Sequence, residues 1–314
     1  MLNGIPPSKH VFESIKPFTA SSDATFANLE IPLTTSTTKT QRKTAQELKA
    51  RNQWILKADP KHSPFLKAAG ISIVSLANNH AMDYGSGGLS QMITDLDTEG
   101  IVHAGAGNNS NIAAQPGIIE LSNKKKAALL SVMGFLTRNA LLKTSPATLD
   151  TAGVAVLSTG GRLDQAAKDK LSRWISAAHK QADYVVVGIH WGVERKNLPT
   201  PYQVALGRAL IDAGADIVWG NHPHVLQGAE LYNGHLIMYS MGNLISNLPA
   251  VTGMLQVKIA DDRTQSAEFI PAVNRHGRIV ITEGKAKESA IREMRNLCRL
   301  LLRRYPSTVS VPAL

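Results

Sequence analysis

The sequence predicts a layered α/β fold, and three observations carry that expectation. Buried, β-branched runs alternate with amphipathic segments along most of the chain. Several of the amphipathic segments stop at a glycine, a common helix C-terminal signal. Residues able to bind a metal follow directly on the ends of the apolar runs, where open α/β sheets hold their ligands.

The elements follow in order. Ala24–Asn28 is a short, mostly apolar run. Ser63–Ala69 reads as a helix stopped by Gly70, and Gly70–Ala77 reads as a buried parallel strand. Gly88–Glu99 is an amphipathic helix closed by Gly100 before a strand over Ile101–Ala104. Ile118–Leu121 and Ala127–Met133 flank the polar turn 123–126 as a hairpin. Arg138–Ala152 is irregular, with no periodicity to assign. Beyond it, Leu163–Lys180 is a long helix, Tyr184–Ile189 a strand, Pro201–Ala213 a helix ended by Gly214, and Asp216–Trp219 a strand. Gln227–Tyr232 and Leu236–Tyr239, joined by Asn233-Gly234, form a hairpin. Met254–Ile259 and Glu268–Ala272 continue as antiparallel strands, and Ser289–Arg304 is a basic helix. That helix reads as a packed apolar face with solvated arginines.

Composition narrows the classes. The chain has 314 residues, of which 43% are hydrophobic and 18% charged, so it can bury a sizeable core and is not a disordered chain. A single cysteine, Cys298, excludes a disulfide framework and a cysteine-rich zinc module. No apolar run approaches the ~20 residues of a membrane span, and residues 1–7 show no signal peptide. The net charge of +10 suits an acidic ligand or polymer. Nucleic acid is not supported, because aromatic and basic residues are not interleaved.

Of the 10 histidines, His10, His62, His103, His179, His235 and His276 sit in ordinary contexts. The other four each follow the end of an expected strand. In Ser75–Gly85 two amides (Asn78, Asn79), an imidazole (His80) and a carboxylate (Asp83) emerge together; the alternative is a polar turn capping the next helix. In 187–194, His190 is followed by Trp191-Gly192 and by Glu194; the alternative is a buried histidine bonded to backbone. His222 and His224 lie two apart around Pro223, and residues i and i+2 of an extended chain point to the same side, so both imidazoles can converge on one ion. Glu30, in Asn28-Leu29-Glu30, adds a carboxylate able to bridge two metals. Together these are the groups a metal-dependent phosphoesterase needs: ligands that fix the metal, and an imidazole to stabilise the departing oxygen.

The stretches Asn28–Glu30, Ser75–Gly85, His190–Glu194, Gly220–Gly228 and Tyr239–Ile245 resemble, in order and spacing, the CapA family of capsule-synthesis (poly-γ-glutamate biosynthesis) proteins. That family belongs to the calcineurin-like metallophosphatase superfamily. The resemblance implies a four-layer α-β-β-α sandwich with a cleft for divalent metal (Mn, Zn or Fe). It implies Glu30 as bridging carboxylate, Asn79 as amide ligand, His80 as catalytic imidazole, and His190, His222 and His224 as metal ligands. Asn78, Asp83, Glu194 and Asn243 would orient those groups.

One departure is expected. Family members open with a strand ending in Gly-Asp, whose Asp binds the first metal, and nothing before Asn28 matches it. Asp23 lies in the approach to the next strand and is no replacement. The expectation is thus a sandwich lacking its first strand, from a truncated or misplaced start. One metal site (Glu30, Asn79, His190, His222) keeps its ligands, and the other keeps His224 and a shared Glu30. Residues 1–260 are expected to form the CapA-type domain, with 261–314 adding strands and the basic helix to it. Two functions follow: a metal-dependent hydrolase of phosphoesters or of a related bond in an acidic polymer, or a non-catalytic cell-envelope factor that binds such a polymer. Capsule-synthesis membrane proteins are the implied partners and the cell envelope the implied location.

Overall fold

Two largely parallel sheets and one antiparallel ribbon form the frame of this mixed α/β protein. The computed structural model describes residues 2–134, 143–157, 163–246, 250–260, 263–275 and 277–306. His276 and residues 138–142 of the irregular stretch lie outside them.

The chain passes through α1 (Lys16–Ala20) into β1 (Phe26–Asn28). Helices α2 (Ala45–Lys49) and α3 (Ser63–Ala68) precede β2 (Ile73–Ser75), and α4 (Gly85–Thr98) leads to β3 (Val102–Ala104). These three strands pair in parallel, with Asn28 opposite Ser75. That register places the residues after both strands side by side. Helix α4 carries Leu89, Met92 and Leu96 at helical spacing, and all three are buried with Leu33 and Leu76.

Next come β4 (Ala106–Gly107), α5 (Ser110–Ala113), β5 (Gly117–Glu120), β6 (Lys126–Gly134) and β7 (Gly153–Val154). Helix α6 (Gln165–His179) leads to β8 (Tyr184–Trp191), α7 (Pro201–Asp212) to β9 (Ile217–Asn221), and a hairpin follows as β10 (Ala229–Tyr232) and β11 (His235–Met238). The second sheet has the order β10-β11-β9-β8-β6-β5. Its central strands are parallel, and His190 of β8 sits opposite Asn221 of β9. Leu171 and Ile175 of α6 and Leu206 and Leu210 of α7 pack with Val185, Val187, Ile189 and Val218. Each such buried aliphatic side chain contributes about 1.5–3 kcal/mol. A smaller cluster of Ile73, Ala104, Leu129 and Val186 joins the two sheets.

Strands β12 (Ala250–Ala260), β13 (Arg263–Arg275) and β14 (Arg278–Ile281) form the antiparallel ribbon, and α8 (Gly284–Arg304) follows. Helix α8 buries Met294 and Cys298 against Leu226, Ala229 and Phe269. It starts five residues before the expected Ser289, in exposed turns without apolar periodicity. The short strands β4, β7 and β14 were not expected either, since none is long enough to show alternation. Among the described residues, no helix is long and apolar enough to cross a membrane.

Candidate metal centre

The ends of β1, β2, β8 and β9 bring the site together. Trp191 closes β8: it is fully buried, stacks on Tyr239 at 5.6 Å and donates from Nε1 to the Tyr239 carbonyl at 3.0 Å. Gly220 of β9 lies beneath it, where a Cβ would stand 2.2 Å from the Tyr239 oxygen and 2.3 Å from Trp191 Nε1. Only glycine lets β9 run this close, so it helps bring His222 alongside His190. The two rings are 4.8 Å apart, and His222 and His224 are 5.7 Å apart.

The turn carrying His222 and His224 is held in an uncommon shape. His222 has φ 100° and His224 φ 58°, left-handed values that cost of order 1–3 kcal/mol per residue. Such strain persists only where neighbours enforce it. Arg195, itself at φ 59°, donates its backbone N–H to the Pro223 carbonyl at 2.8 Å. Asn197 Nδ2 donates to the Leu226 carbonyl at 3.0 Å. Gln203, from the capping box of α7, donates to Gln227, which donates to the Lys196 carbonyl at 2.7 Å. His224 Nδ1 lies 2.8 Å from Asn243 Oδ1, which fixes that ring.

Glu30 sits at the centre and is buried. Asn28 Nδ2 donates to its Oε2 at 3.0 Å. Its other oxygen, Oε1, is buried with no hydrogen-bond partner among the described residues. Around Oε1 stand His190 Nε2 at 3.5 Å and His224 Nε2 at 3.6 Å. Asn79 Oδ1 is 2.8 Å from His190 Nε2. Ligand atoms of Glu30, His190 and His222 lie within 4.8 Å of one another, as do those of Glu194, His222 and His224. Burial and the neighbouring His222, His224 and His80 hold the His190 imidazole well below its usual range. Burial, with His224 and His80, pushes His222 down to about 3. Both rings are therefore neutral, the form that ligates. A buried carboxylate oxygen without a donor among the described residues, flanked by imidazole nitrogens and near an amide oxygen, fits a divalent cation.

Beside this group lies a second cluster in which Asn78, Asp83 and Lys43 are matched. Asn78 Nδ2 donates to the Leu29 carbonyl at 2.9 Å, and its Oδ1 accepts from His80 N and Ala81 N. The amide thus shapes the turn carrying Asn79 and His80. His80 Nδ1 lies 2.7 Å from Asp83 Oδ2, which also accepts from Leu56 N at 2.7 Å. Asp83 Oδ1 accepts from Lys43 Nζ. The Lys43 amine also donates to the carbonyls of Trp54 and Asn79, at 2.8 and 3.0 Å. Lys43 is 4% exposed, and its pKa is lowered by burial against the opposing pull of Asp83 and Glu30.

All ten residues expected at the site fall in these two clusters or the turn between them. Glu194, expected only to orient other groups, places its carboxylate in ligand range of His222 and His224. Lys43 was missed, because its partners lie 11–40 residues away and no local pattern marks it.

A family model described as bacterial capsule synthesis protein matches residues 6–248, more than half of the chain. The chain belongs to the bacterial capsule synthesis protein family. It is 30% identical to the capsule biosynthesis protein CapA of Bacillus anthracis over 270 residues, 83% of this chain and 61% of that protein. It is 33% identical to the PGA biosynthesis protein CapA of Bacillus subtilis over 236 residues, 75% of this chain and 56% of that one. A probable polyglutamine synthesis accessory protein of Mycobacterium tuberculosis is 28% identical over 194 residues, 62% of this chain and 50% of its own. The chain spans about half to three-fifths of the length of these relatives. The matched segment contains every residue of both clusters.

Proposed function

We propose that the chain is a metal-dependent, phosphoesterase-like hydrolase of capsule or polyglutamate synthesis, acting on phosphoesters or on a related bond in an acidic polymer. The observation that carries this reading is Glu30 Oε1: buried, without a hydrogen-bond donor among the described residues, and flanked at 3.5 and 3.6 Å by two imidazole nitrogens. Glu30, Asn79, His190 and His222 would hold the ion, and Glu194 with His224 would hold a second one beside it. A bound divalent cation supplies Lewis acidity, polarising a phosphoryl oxygen and making water easier to ionise.

The chain's own residues do the rest. Asp83 engages His80 Nδ1, so Nε2 is the nitrogen left to take a proton from the attacking water and return it to the departing oxygen. Asn243 orients the His224 ring and Asn28 orients Glu30. The similarity to capsule and PGA biosynthesis proteins supports a polyanion as the setting, and so does the net charge of +10. Capsule-synthesis membrane proteins at the cell envelope are the partners this reading implies.

A four-layer sandwich is part of the same reading. It is supported by helices packed with each sheet and by the apolar cluster between the sheets. Residues 1–260 and 261–314 are read as one domain, supported by the long β12–β13 pairing across that boundary.

Hydrolysis of bis-p-nitrophenyl phosphate with added Mn or Zn tests the reading. Turnover that depends on added metal and disappears in His222→Ala is expected. Bound metal without turnover would contradict catalysis and favour a factor that only binds polymer.

A further inference from the structure

Lys43 is the least expected group in the site: a lysine buried almost completely, in a segment without regular structure, reaching two residues of another loop. Three acceptor oxygens surround its Nζ, from Asp83, Asn79 and Trp54. An ammonium has three protons and no lone pair, so the three oxygens use its full capacity. Nζ also lies 3.4 Å from His80 Nδ1. That contact is longer than the other three, whose oxygens are the closer acceptors. The His80 Nδ1 to Asp83 Oδ2 distance of 2.7 Å, in turn, needs a proton between the two atoms. Lys43 holds Asp83 Oδ1, and Leu56 N holds Oδ2, which keeps the carboxylate against His80 Nδ1.

We propose that Lys43 is a positioning residue that sets the tautomer of His80, holding the proton on Nδ1 and leaving Nε2 free for proton transfer. The inference builds on the hydrolase reading above by naming what prepares its acid–base group. Lys43 acts through two partners. It locks the Asp83 carboxylate in the rotamer that engages the ring, and it holds the Asn79 carbonyl, which fixes the backbone between Asn79 and His80. It is neither a metal ligand nor a group in contact with substrate.

The test is long-range 1H–15N NMR of the full chain labelled in histidine and lysine, with and without zinc. Protonated and unprotonated ring nitrogens differ widely in 15N shift, so the tautomer reads directly. In the unsubstituted protein, His80 is expected with Nδ1 protonated and Nε2 bare, and Lys43 with three slowly exchanging ammonium protons. In Lys43→Met, signals of both His80 tautomers are expected, with zinc still bound and metal-dependent turnover reduced about 10- to 100-fold, the usual effect of removing an orienting partner. Unchanged His80 ring shifts in Lys43→Met would overturn the proposal. If that variant does not fold, the unsubstituted protein still decides: a proton on His80 Nε2, or no Lys43 ammonium signal, overturns it. Absence of turnover in the unsubstituted protein would remove the hydrolase reading alone, since the tautomer is read without catalysis.

Discussion

The two polar clusters at the strand ends are neighbours of opposite character. Around Lys43 and Asp83, donors and acceptors match, and His80 Nδ1 is engaged by the Asp83 carboxylate. Around Glu30, His190, His222 and His224, ligand atoms converge on one place: Glu30 Oε1 lacks a donor among the described residues, the His190 and His222 imidazoles are neutral, and His222 and His224 have strained backbones. The first cluster adds to fold stability and orients a side chain. The second is held in place by the fold at a cost that a cation would offset. Buried polar groups that satisfy one another are structural, and a buried carboxylate oxygen left without a donor marks a ligand.

Substitutions in the two clusters should have different effects. The largest effect is expected from Asp83→Ala, which leaves the Lys43 ammonium buried without its carboxylate. Breaking a buried pair in this way costs about 3–5 kcal/mol, to be read from urea unfolding of the metal-free protein. A loss below about 1 kcal/mol would mean the first cluster is not the structural one. Next in size is stabilisation by metal: at a hundredfold excess over Kd, an ion bound only by the folded chain adds about 2.7 kcal/mol. For a chain of this size that raises Tm by about 4 °C.

A Gly220→Ala substitution forces a methyl group against Trp191 and the Tyr239 carbonyl and displaces the end of β9. It is expected to cost about 2 kcal/mol and to weaken metal binding through His222. Normal metal affinity in this variant would show that the close approach does not position the site. The smallest expected change in stability is for Glu30→Gln in the metal-free protein, within about 1 kcal/mol of the parent, because no hydrogen bond to Oε1 is lost. The same variant should lose the thermal shift with metal. Glu30→Gln and Asp83→Ala thus separate the clusters by opposite patterns of stability and metal response.

Much of this was legible in the sequence, and what was not has physical reasons. His222 and His224 stood out because an imidazole pair two apart after a buried run has few structural uses. Asn78, Asn79, His80 and Asp83 stood out as four polar groups leaving one buried strand. Lys43 was invisible because its role exists only when the segment before α2 folds onto the turn after β2. The supporting role expected of Glu194 came from the family resemblance, which does not show whether the chain brings its carboxylate back to the histidines. It returns because Arg195 adopts a left-handed conformation and is bonded to Pro223. The start of α8 was missed because its first turns are exposed and carry no apolar face.

The most direct test is metal content. The protein would be dialysed against zinc or manganese and measured by elemental analysis, beside His190→Ala and His222→Ala. At least about one ion per chain is expected, with the loss of that ion in both variants, as for a site whose ligand set is cut below what holds the metal. Metal content unchanged by either substitution, or none bound by the unsubstituted chain, would contradict a metal centre at Glu30, His190 and His222.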